Sequence, residues 1–339
     1  MKRPTIADIA MKAQVSKGAV SYALNGQPGV SEATRARILG IASEMGWTPN
    51  SAARALSASR TDTIGFVLAR PASTLGYEPF FMQFVSGIQA ELLHRNRGLL
   101  LQVVSDVEAE VEVYKRWWAA RRVDGVLVVD LHTDDPRVEA LTRLGLPAVI
   151  VGGPRGAESL TTVTTDDGTA MTSVMEYLAA LGHRRVARVA GLPELLHTAL
   201  RTEAFDAAAK RLGLDAATVV ETDYSQDLGA RATRSLLSQA NRPTAILFDN
   251  DVMAVAGMSV TAEMGLSVPA DVSLVAWDDS PLCRLTHPPL TAMSRDVASY
   301  GAHCTRRLLE VIDGAEPASY HDATPTLVPR GTTGQPVPR

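Results

Sequence analysis

Residues 5–46 read TIADIAMKAQVSKGAVSYALNGQPGVSEATRARILGIASEMG, and their apolar spacing and stop signals place three short helices side by side. Thr5 can cap the first helix while Asp8 reaches back as a capping-box carboxylate, and Ile6, Ile9, Ala10 and Ala13 then share one face. Ser16 caps the second, with Val15 and Val20 spaced as a hydrophobic staple and Asn25-Gly26 as the stop. The third starts at Ser31, turns Ala33, Ile38, Ile41, Ala42 and Met45 inward, and ends at Gly46. Only Gln14 and Val15 separate Ala13 from the Ser16 cap, which forces a sharp helix-turn-helix crossing and presents the second helix outward. With Ala19, Val20, Ala23 and Leu24 toward the core, Lys17, Gly18, Ser21 and Tyr22 are left free. These positions offer hydrogen bonds or open space to a major groove, although a solvated helix face would look the same.

Charge is distributed to match. The 339-residue chain carries a net charge of −4, but residues 1–60 hold eight basic and three acidic residues, a net +5, which leaves −9 on the remainder. A basic head on an acidic body suits a protein whose head alone meets a polyanion. The composition of the whole chain is that of a folding protein, with 46% apolar and 21% charged residues. The N-terminus MKRPTIADIAMKAQ has no apolar signal core and no stretch is long and apolar enough to span a membrane, so a cytoplasmic protein is expected. Cys283 and Cys304 lack a Cys-x-x-Cys spacing, so neither a disulfide framework nor a zinc site is indicated.

From Thr63 onward apolar β-branched runs alternate with amphipathic stretches. Strands are expected at 63–69, 99–104, 125–130, 148–151, 185–190, 245–248 and 272–276, with helices between most of them at 80–94, 108–121, 166–181, 198–212, 226–239 and 250–265. This alternation predicts parallel, doubly wound sheets, and its restart near Asp166 predicts two lobes with a ligand cleft at the strand C-termini. The segment NSAARALSA at 50–58 is helix-forming behind a possible Asn50 cap, yet too short to hold a helix alone.

The head resembles the lactose-repressor (LacI/GalR) family of bacterial transcription regulators: Thr5-Ile6 with Asp8-Ile9-Ala10, Val15-Ser16, Val20-Ser21, Leu24-Asn25 and Pro49-Asn50 all fall in that family's pattern. So does the body, where VDGVLVV, VTTDDGTAM, LGHRRVARVAG, ALRTEAF, PTAILFDNDVMAVAG and GLSVPADVSLVAWDD occur in the family's order. The resemblance implies a helix-turn-helix domain at 1–49, a hinge helix and linker at 50–61, and an effector-binding domain at 62–339 of the periplasmic-binding-protein type. Its first lobe would hold about 62–161 and 292–324, its second about 162–291 and 325–339. Bases would be read at Lys17, Gly18 and Tyr22, the DNA backbone approached by Thr5, Ser16, Ser21 and Asn25, and the minor groove wedged open by Leu56. The effector would meet Arg201, Asp251, Tyr224, Phe80 and Phe81.

The expected partners are therefore double-stranded operator DNA with pseudopalindromic symmetry, a second copy of the chain, and a small-molecule effector, a sugar first and a purine or other metabolite second. Two departures from the pattern stand out. Gln14 occupies a turn position where glycine is usual, at a cost of roughly 1 kcal/mol if the turn is left-handed. Gly152-Gly153 lie where some sugar-binding relatives place an acid. Catalysis and cofactors are not expected, because the chain has no phosphate-binding loop, no nucleophile elbow and no His-Glu-x-x-His motif. An exported solute-binding protein or an α/β enzyme explains the body but not the basic head.

Overall fold

The computed structural model describes residues 4–47, 60–72, 74–153, 155, 157 and 159–337. It divides into two compact units, Met1–Thr61 and Asp62–Arg339. The hinge segment at 50–58, with Leu56 and the Asn50 cap, lies outside the described residues.

In the smaller unit, helices α1 (Ile6–Ala13), α2 (Lys17–Leu24) and α3 (Glu32–Glu44) form where their caps dictate. Thr5 and Asp8 make the reciprocal capping box, and the hydroxyls of Ser16 and Ser31 accept from the amides of Ala19 and Thr34. Gln14 is left-handed, with φ 54° and ψ 47°, and closes α1 by donating its amide to Ala10 and Met11. Ile9, Ala10, Ala13, Val20, Ala23, Ile38 and Ala42 make the core, with Val15, Leu24, Ile41 and Met45 packed around it. Ala33, expected to face inward, is exposed, because α3 turns its apolar stripe inward only from Ile38.

The larger unit holds two sheets among the described residues. In the first, β1 (Thr63–Ala69), β2 (Gly98–Val104), β3 (Gly125–Val128), β4 (Ala148–Val151), β5 (Thr161–Thr164) and β11 (Ser319–His321) lie in the order β11-β5-β4-β3-β1-β2, all parallel. In the second, β6 (Arg185–Ala190), β7 (Ala216–Glu221), β8 (Ala245–Phe248), β9 (Ser273–Trp277), β10 (Thr291–Ser294) and β12 (Thr326–Val328) repeat that order as β12-β10-β9-β8-β6-β7, with only β12 antiparallel. Both are the doubly wound arrangement, and each reverses its strand order beside its first strand, at β1/β3 and at β6/β8.

The helices that matter below are α4 (Pro79–Leu93), α5 (Val107–Ala119), α6 (Pro136–Leu144), α7 (Asp167–Ala180), α8 (Leu196–Leu212), α9 (Gln226–Leu237), α10 (Asp251–Glu263), α11 (Pro281–Leu285) and α12 (Val297–Ile312). A close crossing fixes α4 on α12. A Cβ on Gly87 would stand 1.8 Å from the carbonyl oxygen of Ala298, and one on Gly301 would stand 2.3 Å from that of Phe84.

The chain crosses between lobes slightly later than the lobe boundaries expected from sequence. Strand β5 pairs with β4, so residues 162–164 belong to the first lobe, and β10 pairs with β9, so residues 292–294 belong to the second. Hydrogen-bonded pairing, which no local pattern reveals, sets those limits.

Candidate functional site

In the small unit, Lys17 and Gly18 are exposed on the first turn of α2, and Tyr22 one turn later is 47% exposed. Lys17 has no ion-pair partner among the described residues. Ser21 is half-buried and accepts from the Asn25 side chain at 3.3 Å. The Ser16 and Thr5 hydroxyls serve as caps, which pins the start of each helix. Gly29 keeps its loop close to the Tyr22 ring, since a Cβ there would lie 3.3 Å from Cδ2. Lys17, Gly18, Ser21, Tyr22 and Asn25 thus form one solvated polar strip held on a rigid three-helix support.

In the larger unit, residues just past the C-termini of several strands of both sheets enter one cleft. Arg70 follows β1, Asp130 follows β3, Gly152 and Gly153 follow β4, Asp249 follows β8, Asp278 follows β9 and Arg295 follows β10, and all line it with Asp167, His197, Arg201 and Tyr224. It is a narrow cleft, open to solvent, with a cavity volume of about 80 Å³.

Its charges are locked in place. Arg70 Nε donates to Asp130 Oδ2 at 2.8 Å, Arg201 Nε to Asp167 Oδ2 at 3.0 Å and Arg295 Nε to Asp278 Oδ1 at 3.1 Å. Beneath the floor, fully buried Arg188 grips Asp249 with two bonds of 2.6 and 2.7 Å, and Asp249 also accepts from the Gly191 amide. Burial alone would raise Asp130 and Asp249, but Arg70 and Arg188 respectively outweigh it and hold each carboxyl below its ordinary range. His197 is pushed down to about 4 by burial and by Arg201, so it is a neutral ring at physiological pH, bonded to the Tyr224 hydroxyl at 2.8 Å. Burial pushes Glu78 up to about 8 and Asp251 up to about 6.

Aromatic rings fix the guanidiniums from their faces. Arg201 lies 4.1 Å over the Trp277 ring, Arg295 5.0 Å over Phe80 and Arg70 5.2 Å over Tyr224. Arg201 uses only Nε on the protein among the described residues, which leaves its two terminal nitrogens to the cleft. Tyr224 reaches its place from a left-handed backbone, φ 70°, that Asn250 stabilises by donating to its carbonyl at 3.0 Å. Gly191 is obligatory opposite it, since a Cβ there would overlap the phenol at 1.8 Å.

Of the residues expected at an effector, the structure brings Arg201, Tyr224, Phe80 and Phe81 to this cleft. Phe81 is at the same time part of the first-lobe core, 1% exposed. Asp251 is placed differently. It lines an adjoining recess with Glu78, Asn250, Asp278, Asp279 and Ser280, and Asp249, two residues earlier, occupies the cleft wall instead. Asn250 caps α10 by accepting from the Met253 amide, which frees Asp251 from that duty. Sequence reasoning missed Arg70, Asp130, Asp167, His197, Asp278 and Arg295. Three of them share one readable signal, an ionisable residue directly after an apolar strand run, as in VLAR70, LVVD130 and VAWD278.

Among the described residues no group of three or more His, Cys, Asp or Glu side chains could hold a metal ion, and no helix is long and apolar enough to cross a membrane. Both cysteines are buried and free. His183 is a buried structural clamp that bonds Thr244, Ser273 and the carbonyl of Gly334.

Comparison with known proteins gives this geometry its family. Residues 5–50 match the lacI family of bacterial regulatory proteins, and residues 175–333 match the periplasmic binding protein-like domain. The HTH-type transcriptional regulator CelR of Thermobifida fusca is 33% identical over 317 residues, which cover 92% of this chain and 93% of that protein. Among solved structures, a transcriptional regulator CelR–cellobiose complex aligns with TM-score 0.73 at 30% identity, over 97% of this chain and 100% of that one. The lac repressor dimer bound to operator and the anti-inducer ONPF aligns with TM-score 0.87 at 26% identity, over 98% and 100%. A helix-turn-helix head, two lobes of repeated topology and similarity along almost the whole chain agree: the chain belongs to the lacI family of transcriptional regulators.

Proposed function

We propose that the protein is a cytoplasmic homodimeric repressor that binds a pseudopalindromic operator and is controlled by a sugar held in the cleft. The operator would be read by Lys17, Gly18 and Tyr22, with Thr5, Ser16, Ser21 and Asn25 at the backbone and Leu56 of the 50–61 hinge in the minor groove. The observation that carries the effector assignment is the set of arginines immobilised by carboxylates and aromatic faces at the strand C-termini, with the terminal nitrogens of Arg201 unspent. A polyhydroxylated ring offers donors and acceptors around its edge and an apolar face to stack, which fits fixed guanidiniums, carboxylates and the rings of Phe80 and Tyr224. That one solved relative is a CelR–cellobiose complex supports a sugar ahead of a purine.

Regulation then follows from linkage: a ligand that prefers one closure of the lobes shifts the population that can hold DNA. The test is binding of full-length protein to duplexes selected from a random pool, titrated with a panel of sugars. One sugar is expected to change operator affinity, and Arg201→Ala is expected to abolish that response while operator binding remains. An unchanged response in the variant removes Arg201 from the site. No preference for any duplex at moderate salt, with or without sugars, overturns the reading.

A further inference from the structure

Five guanidiniums in or beneath the cleft are each matched to a carboxylate: Arg70 to Asp130, Arg188 to Asp249, Arg201 to Asp167, Arg295 to Asp278 and Arg330 to Asp279. Two acids remain. Glu78 and Asp251 have no ion-pair partner among the described residues, although they are only 8% and 2% exposed. One oxygen of each, Glu78 Oε2 and Asp251 Oδ2, is buried with no hydrogen-bond partner. Glu78 occupies the N-cap position of α4, yet its side chain accepts nothing from that helix. Both acids line the same recess, which shares Glu78, Phe80, Asp278 and Arg295 with the main cleft.

A buried acceptor without a donor is costly, and with Asp279 Oδ1, likewise buried without a hydrogen bond, three in one recess mark a place where something donates. The described residues hold no metal-binding group there. A compact ammonium group, with three donors on a point charge, can satisfy two carboxylates that line one recess. We propose that Glu78 and Asp251 seat a protonated amine of the effector, so that the cleft selects an amino sugar over its neutral hydroxyl counterpart. This rests on the cleft being the effector site.

The charged groups around Glu78 are Arg70, Asp130, Asp278, Asp279, Asp251 and Arg295, from the ends of β1, β3 and β9, the start of α10 and the end of β10. Burial keeps Glu78 protonated at neutral pH, and an ammonium beside it favours its ionised form. Binding therefore releases a proton.

Calorimetric titration of the full-length protein with D-glucosamine and with D-glucose, near pH 6.5 in two buffers of different ionisation enthalpy, reads both consequences. Glucosamine is expected to bind at least about tenfold more tightly than glucose. About one proton should leave per site. Glu78→Gln and, separately, Asp251→Asn should collapse the preference, and Glu78→Gln should also remove the proton release. The wild-type proton inventory stands even if a variant misfolds. Equal or weaker binding of glucosamine, no glucosamine binding at all, or binding without proton release overturns the proposal. A neutral sugar that still regulates through Arg201 would leave the effector site intact while this subsite falls.

Discussion

The small helical unit and the cleft use the same ionisable residues in opposite surroundings. On the helical unit Lys12 and Glu44 pair at 3.0 Å while 50% and 67% exposed, and Lys17 points into water. Under the cleft Arg188 and Asp249 pair at 2.6 Å with both side chains fully buried. An exposed pair contributes about 0–1 kcal/mol and is screened by salt, whereas removing one partner of a buried pair strands a charge in a low-dielectric interior. The contrast matches the tasks proposed for the two regions. A surface that meets a polyanion needs charges free to exchange water and counterions for phosphate, while a pocket that recognises one small molecule needs charges that cannot move.

The largest effect should come from the buried pair. Arg188→Ala is expected to destabilise the large unit by about 3–5 kcal/mol in urea denaturation, because Asp249 is left buried and uncompensated. A loss under about 1 kcal/mol would place that pair in the same class as Lys12–Glu44. Next is packing. Gly87→Ala drives a methyl into the backbone of α12 and should cost about 1–3 kcal/mol, with an unchanged denaturation midpoint as the disproof.

A smaller, pH-dependent effect tests Glu78. Its carboxyl is raised from 4.5 in the unfolded chain to about 8 in the fold, so it binds more protons when folded; its stabilisation is full below pH 4.5 and lost as pH rises through 8. Against Glu78→Gln, the wild type should therefore lose at least about 1 kcal/mol between pH 5 and 8. Parallel stability curves would mean that Glu78 is not held protonated. The smallest effect belongs to the helical unit, where Gln14→Gly relieves a left-handed residue and should stabilise it by about 0.5–1 kcal/mol in thermal melts. No gain there would mean that glycine's added unfolded-state entropy cancels the relief.

What could be read in advance differed between the same two regions. The helices of the small unit are specified within a turn or two, by Thr5, Ser16 and Ser31 at their starts and Gln14 and Gly26 at their ends, and local signals of that kind survive in the sequence. In the large unit the long β-branched strands were equally plain. Strand β5, TTVT, was not, because its hydroxyls look solvent-facing until Thr162 and Thr164 are seen bonding Ser319, Tyr320 and His321 of β11. The edge strands β11 and β12 have three residues each and carry no periodicity to detect. Helices α6 and α12 were also absent from the expected pattern, although α12 packs against the first sheet and α4 together.

The candidate site was legible in outline and not in detail. Arg201, Tyr224, Phe80 and Phe81 were named through the family resemblance and lie in the cleft, whereas Asp251 lies one recess away. In the stretch FDNDV the three polar residues are interchangeable on paper. The fold separates them: Asp249 ends a buried strand against Arg188, Asn250 caps the helix and Asp251 is left without an ion pair.

The amino-acid sequence by itself determined the helix starts, the alternation that makes doubly wound sheets, and the segregation of basic charge, since each is written within a few residues. Only the tertiary structure decided where the chain changes lobes, which arginine neutralises which carboxylate, and that Glu78 and Asp251 are left over. Those outcomes depend on residues tens to hundreds of positions apart meeting where water is excluded, and that meeting exists only after the sheets have formed.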